Sequence, residues 1–254
     1  MRAFHVPQRS RPPETPEEGR AHLTDEALRG EYGGCVAESV TIVDLGMGNL
    51  RSVQRAVEQA ARDAGVEITL RVDARPESVA DSDRVIVPGQ GAFAALAERL
   101  RRGLGDALRD HFARGRPYLG ICLGLQALFD TSEEAPGAAG LGLFSGEVRR
   151  LPDGAIDAST GAVVKVPHMG WNRIELLRRG AGPLAVYDAD PPFVYFVHSY
   201  HVVPEDESLV AAIADHGPHR ITAAVQRNNI TATQFHPEKS QAAGLALLAA
   251  FLRS

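Results

Sequence analysis

The sequence has few cysteines, no long hydrophobic run and no excess of positive charge. It contains two cysteines in 254 residues, Cys35 and Cys122, so a disulfide framework is not expected. No apolar run approaches the roughly 20 residues that are needed to cross a bilayer, and the N-terminus lacks the apolar segment of a secretory signal. A net charge of -5 argues against nucleic acid as the main partner, since phosphate binding requires a clustered basic surface. These absences indicate a cytoplasmic enzyme.

Motifs for cofactors are also missing. No set of His, Cys and carboxylate residues has the spacing of metal ligands, and no glycine-rich phosphate loop of the Walker type occurs. The sequence therefore predicts no metal and no organic cofactor. The hydrophobic fraction of 44% and the charged fraction of 23% are those of an ordinary globular protein.

The chain divides into a tail and one large domain. Residues 1–38 are rich in Arg, Glu and Pro and show little periodicity, which predicts a mobile N-terminal tail. Cys35 lies in this tail and is given no role. Residues 39–254 are long enough to bury the core of a single domain.

The first half of this domain alternates strand-like and helix-like segments. Strands are predicted at 39–44, 66–72, 84–87 and 118–121, and helices at 50–64, at 93–114 and from residue 123. After residue 140, short strand-like runs follow one another at 146–151, 162–166, 171–176, 193–203, 209–214, 221–226 and 230–235, before a last helix at 241–252. The pattern predicts an α/β fold, with a mainly parallel central sheet, helices on both faces and added antiparallel strands in the C-terminal half.

A cysteine stands between two glycines where a predicted buried strand meets a helix. Cys122 lies two residues from both Gly120 and Gly124, in the glycine-x-nucleophile-x-glycine pattern of a tight strand-to-helix turn. At a helix N-terminus, free N–H groups and the helix dipole favour the thiolate, and the N–H of Leu123 would point towards an oxyanion. A lone cysteine is more often a small buried core residue, but this setting favours a nucleophile.

A histidine and a glutamate follow the last predicted strand. His236 and Glu238 are two residues apart and can therefore lie side by side, with Pro237 holding the backbone between them extended. The carboxylate would fix the imidazole tautomer and leave the other ring nitrogen to take the proton of Cys122. The alternative is a chance His and Glu in a surface loop, which the preceding apolar strand disfavours.

Glycines also follow the predicted strand at 84–87. In the segment 88–92 (PGQGA), Gly89 and Gly91 would let backbone N–H groups approach a ligand and supply the second half of an oxyanion hole. Taken alone, the segment is equally consistent with an ordinary turn between a strand and a helix.

Taken in this order, the segment 88–92, the turn at Cys122 and the His-Pro-Glu segment resemble the class I, or triad-type, glutamine amidotransferases. The resemblance covers roughly residues 40–254 and implies the fold of that family and hydrolysis of glutamine to glutamate and ammonia. It makes Cys122, His236 and Glu238 a catalytic triad, and Gly91 and Leu123 the oxyanion hole. The substrate-binding residues that it implies are Gly89, Gln90, Gln126, His198, Ser199 and Tyr200.

Further segments resemble one branch of this family, the glutaminase subunits of imidazole glycerol phosphate synthase in histidine biosynthesis. They are residues 44–53 (DLGMGNLRSV), 166–172 (VPHMGWN) and 196–201 (FVHSYH). The branch resemblance implies a heterodimer with a (β/α)8-barrel cyclase, which uses the ammonia to make imidazole glycerol phosphate and an aminoimidazole carboxamide ribotide. The sequence departs from the branch at Leu45, where Tyr is usual, and at Gln90, where an apolar residue is common. The implied interface residues are Asn49, Met169, Trp171 and Lys239.

Alternative interpretations stay open for the chain and for single residues. The same chemistry would serve a pyridoxal phosphate or anthranilate synthase, and a non-catalytic regulatory domain or another thiol hydrolase would keep the fold. Trp171 alone is equally consistent with a half-buried strand residue, and Gln126 with an exposed helix residue. His198 is expected to shape the glutamine pocket, because only His236 has a carboxylate at the right spacing.

Overall fold

The computed structural model describes residues 37–158 and 161–254. Nearly all of the predicted tail lies outside these residues, as does Cys35, so the tail stays a prediction. Each helix in the described part of the chain is too short or too polar to cross a bilayer.

Strands and helices alternate in the first half of the domain, and short strands dominate from there to the last helix. The strands are β1 (Glu38–Val43), β2 (Ile68–Asp73), β3 (Arg84–Gly89), β4 (Tyr118–Cys122), β5 (Thr131–Ser132), β6 (Gly146–Arg150), β7 (His168–Arg173), β8 (Glu175–Leu176), β9 (Phe193–His198), β10 (Tyr200–Pro204), β11 (Val210–His216), β12 (His219–Arg227) and β13 (Ile230–Thr233). The α-helices are α1 (Leu50–Ala64), α2 (Pro76–Ala80), α3 (Phe93–Arg99), α4 (Gly105–Ala113), α5 (Leu123–Gln126) and α6 (Gln241–Arg253).

One large sheet organises the domain. Its strand order is β2-β1-β3-β4-β13-β12-β11-β8. Neighbouring strands run parallel from β2 to β13, and β12, β11 and β8 continue the sheet antiparallel. Two smaller sheets have the orders β10-β6-β5 and β7-β9. The predicted α/β fold, with a mainly parallel sheet and antiparallel additions in the C-terminal half, is confirmed.

Helices cover both faces of this sheet. Ile42, Ile86 and Ile121 are buried with residues of α1 and α6 in one apolar cluster. Val85 and Val87, which alternate with Ile86 along β3, belong to a second cluster with residues of α3 and α4. Burying each of these side chains contributes roughly 1.5–3 kcal/mol, so the central strands are held from both sides.

The first helix begins at a residue of the predicted interface. The Asn49 side chain accepts a hydrogen bond of 3.2 Å from the N–H of Ser52 and so caps α1. Such a cap stabilises a helix by about 1 kcal/mol. Gly65 ends the helix in the left-handed conformation, with φ 65°.

Four predicted segments differ from the structure. The run predicted at 171–176 divides into the end of β7 and β8, which belong to different sheets. The segment 162–166 is not a strand, and only an isolated bridge joins Val163 to Ile156. The helix predicted at 93–114 is interrupted between α3 and α4, because Arg102 and Gly103 leave the helical conformation and Gly103 has φ 103°. The run predicted at 193–203 divides into β9 and β10, which belong to different sheets.

Candidate active site

Three loops meet at the carboxyl ends of β3, β4 and β13, the central parallel strands. The register pairs Gly89, at the end of β3, with Cys122, at the end of β4. It pairs Thr233, at the end of β13, with Ile121, so the residue after β13 lies beside Cys122 on its other side. Ligand sites of parallel sheets lie at this edge, and the three predicted active-site segments are thus brought together by topology.

The backbone at Cys122 makes the tight bend that its glycines predict. Cys122 has φ 53° and ψ -98°, a conformation that costs an L residue roughly 1–3 kcal/mol. A Cβ at Gly120 would lie 2.7 Å from the backbone of Gly124, and a Cβ at Gly124 would overlap the carbonyl oxygen of Val87. Leu123 begins α5, so its N–H belongs to the first turn, where amides have no acceptor within the helix.

His236 joins Cys122 to Glu238. Its Nδ1 lies 2.8 Å from Oε1 of Glu238, and the two side chains are only 1% and 4% exposed. Burial alone would lower the pKa of His236, but the hydrogen bonds and negative charges of Cys122 and Glu238 outweigh it and raise the pKa to about 9. The imidazole is therefore protonated at neutral pH and can donate a proton from Nε2.

Two glutamine side chains contact this pair of residues. Nε2 of Gln90 lies 3.4 Å from Nε2 of His236. Nε2 of Gln234 lies 3.4 Å from Sγ of Cys122, and Gln234 is fully buried. Gln90 belongs to the predicted substrate-binding set, whereas no sequence pattern distinguishes Gln234.

A cavity of ≈ 300 Å³ opens beside Cys122. It holds most of the residues that were predicted to bind glutamine or its oxyanion. Gly89 lies within β3 and does not line the cavity. A Cβ at this position would come within 2.9 Å of the Leu123 side chain. The lining residues are Gln90, Gly91, Cys122, Leu123, Gln126, Glu134, Val197, His198, Ser199 and Tyr200.

Glu134 and Val197 line the cavity although neither was predicted as a site residue, and Glu134 is the charged one of the two. Its Oε2 accepts a hydrogen bond of 2.8 Å from the N–H of Phe93, the first residue of α3. The Glu134 side chain places a carboxylate in a cavity whose other lining side chains, Cys122 apart, carry no charge. The glutamate lies in a polar segment after α5 that has no recognisable motif, so nothing in the sequence distinguished it from a solvated residue.

Both ring nitrogens of His198 are used in hydrogen bonds. Nδ1 lies 3.0 Å from the carbonyl oxygen of Tyr200, and Nε2 lies 3.0 Å from Nδ1 of His168. Burial lowers the pKa of His198 well below its usual value and lowers that of His168 to about 4, with a smaller effect of neighbouring histidines. Both rings are therefore neutral, and Asn172 completes the chain with Nδ2 at 3.2 Å from Nε2 of His168. This arrangement agrees with a role for His198 in shaping the pocket.

A small apolar surface lies next to the site, on the sheet formed by β7 and β9. We call Met169, Trp171, Phe193 and Tyr195 the docking surface. Met169, Trp171 and Phe193 are 61%, 47% and 60% exposed. Trp171 is paired with Tyr195 across the two strands, and Nζ of Lys239 lies 5.8 Å from the centre of the Tyr195 ring. Large apolar side chains exposed in one place are typical of a protein interface.

The docking surface is hydrogen-bonded to the catalytic segment. The N–H of His236 donates to the carbonyl oxygen of Tyr195 at 2.9 Å. The Ser240 hydroxyl accepts from the N–H of Tyr195 at 3.0 Å and donates to the carbonyl oxygen of His236 at 2.7 Å. Asn49 lines a narrow cleft behind His236, together with Glu238. The predicted interface residues therefore lie around the back of the triad.

A metal site was not predicted. Within residues 37–158 and 161–254, no group of three or more His, Cys, Asp or Glu residues is arranged to hold a metal ion.

Comparisons with known proteins agree with this geometry. Residues 42–254 match the family model described as glutamine amidotransferase class-I. Two solved structures share the fold. PurLQS from Thermotoga maritima has a TM-score of 0.63 and 17% identity, and the match covers 86% of this chain and 99% of that chain. The glutaminase domain of Trypanosoma brucei CTPS with bound acivicin has a TM-score of 0.57 and 18% identity, with 86% and 95% covered.

Curated relatives are more similar. The imidazole glycerol phosphate synthase subunit HisH of Syntrophotalea carbinolica is 46% identical over 215 residues, which is 84% of this chain and 98% of the relative. The HisH subunit of Nitrosospira multiformis is 48% identical over 215 residues, with 84% and 97% covered. The chain belongs to the class-I glutamine amidotransferase family and, within it, to the group of HisH subunits.

Proposed function

We propose that this chain is the glutaminase subunit of an imidazole glycerol phosphate synthase and that Cys122, His236 and Glu238 are its catalytic triad. The observation that carries the proposal is the contact of His236 with both Glu238 and Cys122, of which Cys122 lines the 300 Å³ cavity. The identity of 46–48% between this chain and HisH subunits supports this synthase over the pyridoxal phosphate and anthranilate alternatives.

In the first half of the reaction, the Cys122 thiolate attacks the side-chain amide carbon of glutamine. The C–S bond forms, and the negative charge moves to the amide oxygen, where the N–H groups of Gly91 and Leu123 stabilise it. The His236 imidazolium donates its Nε2 proton to the amide nitrogen, so the C–N bond breaks and neutral ammonia leaves. A thioester and a neutral imidazole remain.

In the second half, water attacks the thioester carbon. Neutral His236 takes a proton from this water, the C–S bond breaks, and glutamate leaves while Cys122 returns to the thiolate. Glu238 holds Nδ1 throughout and stabilises the imidazolium each time that it forms. The strained bend at Cys122 keeps the sulfur at the cavity and beside the helix N-terminus.

The cavity offers a partner for the positive charge of glutamine. Glu134 supplies a carboxylate for the α-ammonium group, and its bond to the Phe93 N–H holds that carboxylate in place. Gln126 is buried rather than exposed, and its Nε2 donates to the Tyr200 carbonyl oxygen at 3.3 Å. Nδ1 of His198 lies 3.0 Å from the same carbonyl oxygen. These contacts form the pocket wall that includes Ser199, and we assign substrate binding to this wall.

The ammonia passes to a second subunit in the cytoplasm, where free ammonia would be protonated and lost as a nucleophile. We assign the docking surface, with Asn49 and Lys239, to contact with a (β/α)8-barrel cyclase that makes imidazole glycerol phosphate and an aminoimidazole carboxamide ribotide. The exposure of Met169, Trp171 and Phe193 supports this assignment. Neither subunit requires a cofactor for the ammonia-forming step as written.

The decisive experiment measures glutamate release by the full chain with and without the cyclase and its nucleotide ligand. We expect glutamine hydrolysis that rises strongly in the complex. A folded complex that releases no glutamate would contradict the proposed function, and equal binding to an anthranilate synthase subunit would contradict the assigned partner.

A further inference from the structure

Gln234 is a buried polar residue at Cys122 that the proposed mechanism does not use. Its side chain is fully buried, and its Nε2 lies 3.4 Å from Sγ of Cys122. Its Oε1 has no hydrogen-bond partner in the described part of the chain. Burying a carboxamide with one end unpaired costs free energy, which an apolar side chain of the same length would avoid. The contact with sulfur is therefore the interaction that distinguishes Gln234 from a core residue.

Strand register places this carboxamide at the sulfur. Thr233 pairs with Ile121, so Gln234 and Cys122 follow as neighbours at the ends of β13 and β4. The N–H of Gln234 donates to the carbonyl oxygen of Ala223 on β12 at 2.8 Å, which fixes the backbone. Because residues two apart in an extended segment share a face, Gln234 lies on the same side as His236.

We propose that Gln234 is a further catalytic residue, whose amide N–H stabilises the Cys122 thiolate. The inference rests on the proposed function, in which Cys122 is the nucleophile. An N–H donor stabilises negative sulfur more strongly than a neutral thiol or a thioester. Gln234 therefore favours the thiolate before it attacks glutamine and again when it leaves the thioester. Glutamine binding is unaffected, because Gln234 is not part of the cavity lining.

The test replaces Gln234 by Met, which is of similar length and has no donor. The reaction is alkylation of Cys122 by iodoacetamide, followed from about pH 5 to about pH 10, in a Cys35→Ser background that leaves a single cysteine. Gln226→Met is the matched control. Gln226 is also buried, but its amide bonds the Asn228 carbonyl oxygen and the Thr231 hydroxyl instead of a cysteine.

We expect Gln234→Met to alkylate more slowly at neutral pH, by up to about tenfold, with the midpoint of its pH profile about one unit higher. In the complex with the cyclase, the kcat for glutamine falls and KM is unchanged. Gln226→Met keeps the wild-type profile. All three proteins keep the same titratable groups near Cys122. These groups are His236, with Glu238 behind it, and, across the cavity, Glu134 and His198. An unshifted profile in folded Gln234→Met overturns the proposal.

A second measurement applies if Gln234→Met does not fold. The side-chain amide signals of Gln234 are followed by NMR in the otherwise unaltered chain before and after alkylation of Cys122, and they are expected to shift because the negative sulfur is lost. Unchanged signals overturn the proposal. Alkylation requires no glutamine, so these results do not depend on glutaminase activity. The proposed function has its own test, and it is contradicted if the wild-type complex with the cyclase releases no glutamate.

Discussion

The Gln90 carboxamide lies 3.4 Å from Nε2 of His236, the ring nitrogen opposite the one that Glu238 holds. The Gln90 amide can donate to this nitrogen only while the imidazole is neutral, so in the isolated subunit the contact competes with the water that neutral His236 has to deprotonate in the second half of the proposed reaction. The family resemblance gives an apolar residue at this position, where no such contact can form.

Replacing Gln90 by Leu is therefore expected to raise glutamine hydrolysis by the isolated subunit about two- to tenfold, which corresponds to the loss of one hydrogen bond. Steady-state glutamate release without the cyclase measures the effect. Gln59→Leu on α1, where Gln59 bonds Asp63, is the control and should leave the rate unchanged. A rate that falls in Gln90→Leu would show that the carboxamide assists the reaction.

Cys122→Ala should abolish glutamine-dependent synthesis by the complex, because no thioester can form. Synthesis from added ammonium salts should continue at about the wild-type rate, since the acceptor chemistry belongs to the partner. Product formation with each nitrogen source is the measurement. Cys35→Ser should retain both activities. Loss of both activities in a folded Cys122→Ala complex would contradict the assigned role.

The pKa of His236 predicts a pH dependence of both activity and stability. Its folded-state pKa of about 9 lies above the usual 6.5, because contacts with Cys122 and Glu238 outweigh burial. The stabilisation is therefore fully present below pH 6.5 and is lost as the pH rises through about 9. Thermal unfolding of the wild type and of His236→Asn should be compared at several pH values. The difference between their melting temperatures should narrow as the pH rises from 6.5 to about 9. Glutaminase activity should fall at its upper end, as the imidazolium loses the proton that the ammonia requires.

Trp171→Ala should weaken binding of the cyclase about tenfold or more, because large aromatic side chains supply much of the energy of interfaces. Trp171 is 47% exposed in the isolated chain, so its removal should leave thermal stability almost unchanged. Calorimetric titration with the cyclase measures the affinity. Val72→Ala is the matched control, since Val72 is an exposed apolar residue on β2, at the far edge of the large sheet. Equal affinities of the two variants would show that the docking surface is not part of the interface.

The sequence predicted those parts of the site that depend on local backbone requirements. Gly120 and Gly124 are needed for the bend at Cys122, and the two-residue spacing of His236 and Glu238 allows their hydrogen bond, so both could be read from adjacent residues. The fold class was predictable for a similar reason, because strand and helix periodicity is also local.

Contacts that depend on register or on long loops were not predictable. Gln234 reaches Cys122 only because β13 lies beside β4, although more than a hundred residues separate them. Glu134 enters the cavity from a loop without a periodic pattern. The chain from His198 through His168 to Asn172 likewise depends on the pairing of β7 with β9. A single sequence contains each residue type but not these distances.

The Ser240 hydroxyl has a mechanical consequence. It connects the N–H of Tyr195 to the carbonyl oxygen of His236, so a tilt of β9 pulls on the backbone that carries the imidazole. Together with the direct bond from the His236 N–H to the Tyr195 carbonyl oxygen, it ties the strand that carries the aromatic surface to the backbone of the catalytic histidine at two points.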